Sequence, residues 1–472
     1  MKRPFILYIV LCLCFPVTAF AQDNDAPAVS GARDNVLTLD RCRQLCWEHS
    51  ADVRNASLDV AAARLQKQEA LAEYFPSISA SAASFHAYKP LVEVGITDIL
   101  GPSDMAFQIQ QQVQDWAAPY DVNTQYRTLN YGYTGGVQLK QPIYAGGRIV
   151  TGNRLAALGE QAAVVKSDLQ KRTSAEKVDK EFFQILALQE KSATLDGLQK
   201  LLDTLQRDVQ GAVAAGVAVN TDLSEVMLKQ SELKAGRNKL KMGLRLAKMN
   251  LLNGIGVEYN PYVGLKDSTR VSLDDFVFQG SFNDIVPPAQ AYVDEEKAAA
   301  ALSESKLLQM QVEARSLERR MVLGEALPSL GLGGFYGFSK MVTSPRWNGA
   351  LYAMLQIPIT DWGKNSRKLE RLKLEVQKAQ NQRDYLSDQL VLQMRQLYIE
   401  LSCAYDNMQI ARDAEEIAST RLAQIRSDYS AGMTTVSEVL KSETAYRTAQ
   451  ESRIDATLDY LTALEAYRLR CR

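Results

Sequence analysis

The side chains best equipped for chemistry are few. Cys42, Cys46 and His49 stand in C-x3-C-x2-H spacing, and on a helix the i, i+4 relation puts both thiols on one face. A metal site needs a fourth ligand, and no neighbouring residue supplies one. The two cysteines read instead as small buried hydrophobes or, in an oxidising compartment, as part of a disulfide. Cys403 and Cys471 are the other thiols of the chain beyond its first segment. His49 and His86 are the two histidines, and no Ser/His/acid arrangement accompanies them. Ala145-Gly146-Gly147-Arg148 has the glycine content of a phosphate loop without the Walker lysine or its spacing, and suits a strand-to-helix bend better. The expectation is no catalytic residue, no metal and no cofactor.

Bulk composition agrees. The 472 residues carry 54 basic and 55 acidic side chains, a balance that excludes an ordinary nucleic-acid binder. Lys2 and Arg3, an apolar stretch from Phe5 to Val17 and the small-x-small end Ala19-Phe20-Ala21 read as a secretory signal over residues 1–21. The stretch is too short for a membrane span, and no later apolar run reaches about 18 residues. Cys12 and Cys14 lack the small residue that a lipoprotein signal places before its cysteine. The expectation is an exported chain without a transmembrane helix.

The elements that would position any site follow from proline. None occurs from Ile143 to Asn260 or from Ile359 to Arg472, and both stretches are rich in good helix formers. In the second, Leu390, Met394, Leu397, Leu401, Ala404, Met408, Ala411, Glu415, Ala418, Leu422, Ile425 and Tyr429 follow strict +4/+3 steps, a coiled-coil seam with Glu415 its one charged break. Each stretch is interrupted once by a glycine, Gly216 or Gly432, followed by Ser, Thr or Asp, so each is a helical hairpin.

The two hairpins are copies. An offset of 216 residues relates both Gly216 to Gly432 and Pro142 to Pro358, and Tyr74-Phe75-Pro76-Ser77-Ile78 matches Ala326-Leu327-Pro328-Ser329-Leu330. Between each pair of prolines the period turns from helical to alternating. Strands are expected at about 76–88 and 131–143 in the first repeat and at 328–340 and 348–359 in the second. The resulting division is 1–21 signal peptide, 22–36 N-terminal periplasmic segment, 37–258 repeat 1, 259–286 connector and 287–472 repeat 2. The fold class is α+β, mainly α. Strands of about ten residues in an exported chain fit an outer-membrane barrel, but four strands cannot close one and open edges are forbidden in lipid. Several copies must share a barrel: two would give eight strands, three would give twelve. Residues 89–128, which hold most of the first repeat's extra sequence, are expected outside the cell as a loop or cap.

The whole exported chain resembles the TolC family of outer-membrane efflux ducts. The resemblance rests on the duplicated helix–strand–strand–hairpin order and on the tips Ala215-Gly216-Val217-Ala218-Val219-Asn220-Thr221-Asp222-Leu223 and Tyr429-Ser430-Ala431-Gly432-Met433-Thr434-Thr435-Val436-Ser437-Glu438-Val439-Leu440. It implies a homotrimer with a 12-strand β-barrel in the outer membrane and a coiled-coil α-barrel through the periplasm. It also implies a periplasmic adaptor at the tips, contacted by Gly216, Val217, Gly432 and Met433, and through it an inner-membrane pump or secretion ATPase. In the type member the aspartate matched by Asp222 holds the tyrosine matched by Tyr429. The threonine matched by Thr221 pairs there with an arginine, for which this chain has Thr434. Glu438 matches the first of two constriction aspartates, and Lys441 replaces the second. A plain helix N-cap would also account for Asp222, and a seam position for Tyr429. The implied partners are thus a second and third copy, the adaptor, the pump and outer-membrane lipid, with no nucleic acid. The competing readings are a periplasmic coiled-coil adaptor or structural protein of an export system, and a barrel enzyme.

Overall fold

The computed structural model describes residues 35–89, 91–120, 126–128, 131–216, 218–262, 271–280, 282, 285–340 and 346–471. The expected signal peptide lies outside these. The main strands are β1 (Ser77–His86), β2 (Tyr131–Ala145), β3 (Ser329–Lys340) and β4 (Arg346–Gln356). The main helices are α1 (Leu39–His49), α2 (Ala51–Ala72), α3 (Asp104–Ala117), α4 (Arg148–Ala214), α5 (Asn220–Gly254), α6 (Ser303–Glu325), α7 (Lys364–Ser430) and α8 (Val436–Cys471).

The repeat is obeyed closely. Helices α4 and α7 each have 67 residues, about 100 Å at 1.5 Å per residue, and both follow a left-handed glycine, Gly147 (φ 77°) or Gly363 (φ 78°). Left-handed Gly216 and Gly432 close both hairpins. An interruption not anticipated from the sequence recurs as well: Ser50 divides α1 from α2, and Leu302 divides 295–301 from α6. The seam of α7 is the buried row, with Leu401 fully buried. Its charged break is answered across the hairpin, where Arg453 Nε lies 2.5 Å from Glu415 Oε2.

The strands form one antiparallel sheet in the order β1-β2-β3-β4, so the two strand pairs are joined through β2 and β3. Ile357 and Ile359, expected in the last strand, follow its end. Cross-strand register puts Ile78, Leu139, Gly334 and Leu351 on one face, with Ala80, Val137, Tyr336 and Gly349 one step further on. The opposite face carries Ser77, Ser79, Ser81, Gln138, Lys140, Thr134 and Asn348. The apolar face ends at the top in a ring cluster: Tyr133 against Phe338 at 5.9 Å, and Trp347 at 5.4 Å from both Tyr336 and Phe338. At the bottom stands Tyr144, exposed. From Tyr144 to Tyr133 the strand climbs about 37 Å at about 3.4 Å per residue. Tilted by about 40–45°, it rises about 27 Å, close to the height of an outer-membrane apolar band. Among the described residues no helix is long and apolar enough to cross a membrane.

Midway down the helices lies the larger core, which includes Cys42, Cys46, Phe182, Leu251 and Tyr467, with Cys471 packed against it. Nearby, Val36–Leu37 pairs in parallel with Val277–Phe278, tying the N-terminal segment to the connector. The four cysteines among the described residues, Cys42, Cys46, Cys403 and Cys471, are free and form no disulfide. Burial pushes the Cys42 thiol up to about 12 and raises Cys46 as well, which keeps both protonated. Among the described residues no His, Cys, Asp and Glu cluster could hold a metal. Beside this core, Arg43 donates twice to Asp179, at 2.7 Å from Nε and Nη2, and once to Glu465 at 2.7 Å, joining α1, α4 and α8.

Candidate functional site at the hairpin tips

A second core holds the lower ends of both hairpins together. Leu202, Leu205 and Val209 of α4, Val226 and Leu233 of α5, and Val436, Val439 and Leu440 of α8 are buried there, with Ile425 and Tyr429 against them. Apolar spacing on four helices thus fixes where the polar tip residues stand.

Helix α5 begins at Asn220 with Val219 as its cap, and no side chain caps it. Asp222 is therefore not the cap. Its N–H donates to Val219 O at 3.1 Å, and its half-buried carboxylate sits in the first turn, where the helix dipole favours negative charge. Thr221 beside it is exposed. Tyr429 is fixed by the turn that ends α7: its carbonyl accepts the Gly432 N–H at 2.9 Å while the Met433 N–H donates to Asp428 O at 2.8 Å. These two bonds make a Schellman turn, which needs the left-handed glycine at Gly432.

The phenol of Tyr429 is pushed up by burial and then by the charges of Asp208 and Asp222. It thus stays protonated, a donor near two carboxylates. Within one chain no hydrogen bond joins Tyr429 to Asp222 or Thr434 among the described residues, although the charge of Asp222 reaches the Tyr429 phenol. Asp208 was missed from the sequence. It lies eight residues before Gly216 and Asp222 six after, and positions nearly equidistant from a hairpin turn face each other.

Glu438 is not a free carboxylate. Its Oε1 is 3.5 Å from Arg421 Nη2 and its Oε2 3.8 Å from Lys441 Nζ, so two cations flank one anion. The i, i+3 contact with Lys441 was legible, whereas Arg421 comes from the facing helix α7. Glu438 and Lys441, the positions expected at a constriction, thus belong to a local cluster of one anion between two cations. Ser437 Oγ donates to Glu225 Oε1 at 3.3 Å, a bond from the second hairpin to the first. One turn above, Glu443 is buried, and that burial raises its carboxyl although Arg447 and Lys229 oppose the shift.

At the extreme end Met433 is 72% exposed, and nothing lies within 4 Å of a Cβ built on Gly216 or Gly432. Val217 lies outside the described residues. The tips are open to a partner.

Residues 297–469, most of the second repeat, match the family model described as outer membrane efflux protein. No curated protein sequence matches the chain. Among solved structures, a membrane protein from Pseudomonas aeruginosa is similar with a TM-score of 0.70 at 14% identity, over 92% of this chain and 93% of that one. The outer membrane protein VceC from Vibrio cholerae aligns at a TM-score of 0.66 and 12% identity, over 92% and 95% of the two chains. The open state of the Neisseria gonorrhoeae MtrE outer membrane channel aligns at 0.64 and 16%, over 92% and 88%.

Proposed function

We propose that this chain is a member of the outer membrane efflux protein family, whose model matches residues 297–469, and that three copies close into one tube serving as the exit duct of a tripartite efflux or type I secretion system. The protein is an outer-membrane efflux channel extending into the periplasm, and not an enzyme. What it conducts is set by the pump to which an adaptor couples it.

One observation carries the reading: strands and helices run out at the same two borders. The sheet is open at β1 and at β4. Below it the helices neighbour one another in the order α2-α4-α6-α7, and nearer the tips in the order α5-α4-α8-α7. Thus α7 continues the β4 border over its whole length, while α2 and then α5 continue the β1 border. Both carry unpartnered apolar rows. On α7, Leu374, Tyr385, Leu392, Ile399, Ile410 and Ile417 are exposed at steps of 7 or 11 residues, the repeats of supercoiled helices. Across from them stand Leu58 and Leu65 of α2 and Leu228, Met242 and Leu246 of α5. A second copy supplies strand to strand and stripe to stripe. A periplasmic adaptor would have no use for a sheet with one apolar face and an aromatic rim.

The resemblance to twelve-strand ducts favours three copies over two. The mass of the detergent-extracted particle tests this: three chains are expected, and a stable monomer or dimer overturns the reading. Single-channel recording in planar bilayers is expected to show a pore whose conductance rises in the Asp222→Ala, Tyr429→Phe double variant. Unchanged conductance places the closure elsewhere.

A further inference from the structure

The first repeat carries an insertion between β1 and β2 that the second repeat lacks. It stands at the end of the sheet away from the helical hairpins. Val92–Val94 pairs with Tyr126–Thr128, and above this ladder the helix Ile96–Leu100 packs on α3. Ala106 and Ala117 of α3 are buried. Next to them on the α3 surface, Met105, Ile109 and Trp116 recur at helical spacing and remain exposed, Met105 by 71% and Trp116 by 68%. Tyr120 extends the row, its ring 5.9 Å from that of Trp116. Leu100 and Ile99 lie exposed on the adjoining short helix. So large an apolar strip on so small an element marks an interaction surface.

Its charge indicates the occupant. Between Leu91 and Tyr120 there are four carboxylates, Glu93, Asp98, Asp104 and Asp115, and no lysine or arginine. An acidic helix is repelled by an anionic membrane surface, where interfacial helices are instead rich in Lys and Arg. The aromatic rim of the sheet also lies below the insertion, so the strip is beyond the apolar band. A second copy, by contrast, offers both an identical strip and a cation: Arg346, at the same end of the sheet, is exposed and makes no ion pair among the described residues. Because β1 is the border strand, each insertion rises next to the neighbouring copy.

We infer that the insertions of neighbouring copies pack on one another through the Met105, Ile109 and Trp116 strip and form a cap over the outer mouth of the duct. This rests on the assembly proposed above, and the test separates the two. Met105→Cys in a Cys403→Ser background, treated on whole cells with a short bismaleimide, is expected to give cross-linked bands at the mass of two chains. The border pair Leu65→Cys with Leu374→Cys, which lie at about the same height below the sheet, cross-linked in the same background, reports the assembly itself. Cross-linking at the border without any at Met105 overturns the cap alone. Loss of both overturns the assembly. A Gly-Ser replacement of residues 96–117 is expected to leave the border cross-link intact and raise single-channel conductance. Unchanged conductance overturns closure of the mouth.

Discussion

Arg43 holds together three helices that are remote in sequence, and its removal has a calculable consequence. The guanidinium is largely buried, with 12% of its side chain exposed, against 3% for Asp179 and 16% for Glu465. Burial works against its charge, yet the bonds to both carboxylates hold its pKa above the ordinary range. Arg43→Met keeps the length and apolar stem but leaves two buried carboxylates facing each other. Breaking a buried pair from one side costs about 3–5 kcal/mol, since the remaining charge is uncompensated.

The sign of the pH dependence follows. Burial favours a raised Glu465, but Arg43 and Arg468 bring it below its ordinary value, so its stabilisation is present at neutral pH and lost as pH falls through its folded value. Asp179 is raised by burial despite Arg43, so it costs stability as pH climbs through its folded value. Without Arg43 both carboxylates move up, and the penalty grows with pH. The thermal midpoint of the detergent-extracted particle, compared at about pH 7 and about pH 5, is expected to show a large deficit at the first and a smaller one at the second. Adding Asp179→Asn is expected to restore part of the deficit, because Arg468 still holds Glu465 at 2.8 Å. A deficit that ignores pH, or one below about 1 kcal/mol, refutes the reasoning.

Two further outcomes concern the tunnel. Glu438→Gln leaves Arg421 and Lys441 without their anion and is expected to shift ion selectivity towards anions, whereas Arg421→Ala shifts it towards cations; reversal potentials in a salt gradient read both, and no change in either places Glu438 away from the conduction path. Leu401→Ala removes a fully buried seam residue and is expected to destabilise the particle by about 2–5 kcal/mol, seen as a lower thermal midpoint.

The fold was largely legible because its signals are long and repeated. A +4/+3 seam over forty residues admits one reading, and the 216-residue offset paired Gly216 with Gly432, the turns that follow the two 67-residue helices. Strand limits were found to within a few residues because the prolines and the change of period mark them. The tip was less legible, since its contacts cross between helices. Asp208 meets Tyr429 only after the first hairpin packs on the second, and Arg421 reaches Glu438 from the facing helix. Glu443, buried two residues after exposed Lys441, has no pattern in sequence that separates it from a surface carboxylate. The breaks at Ser50 and Leu302 left no proline or glycine to announce them.

Edges tie assembly to membrane insertion. Strand β1 has ten residues and β4 eleven, all exposed, and each presents about half its backbone groups outward. Roughly ten unpaired N–H and C=O groups per border, at several kcal/mol each in hydrocarbon, sum to tens of kcal/mol against a lone chain in the bilayer. No side-chain contact described above approaches that figure. The helical borders face water instead, where exposed leucines and isoleucines cost far less and α7 can remain unpartnered while copies meet. In the assembly proposed above, association would therefore begin with the stripes on α2, α5 and α7, which would align β1 of one copy with β4 of the next before either enters lipid. The long helices serve in that sense as the assembly device for the sheet above them.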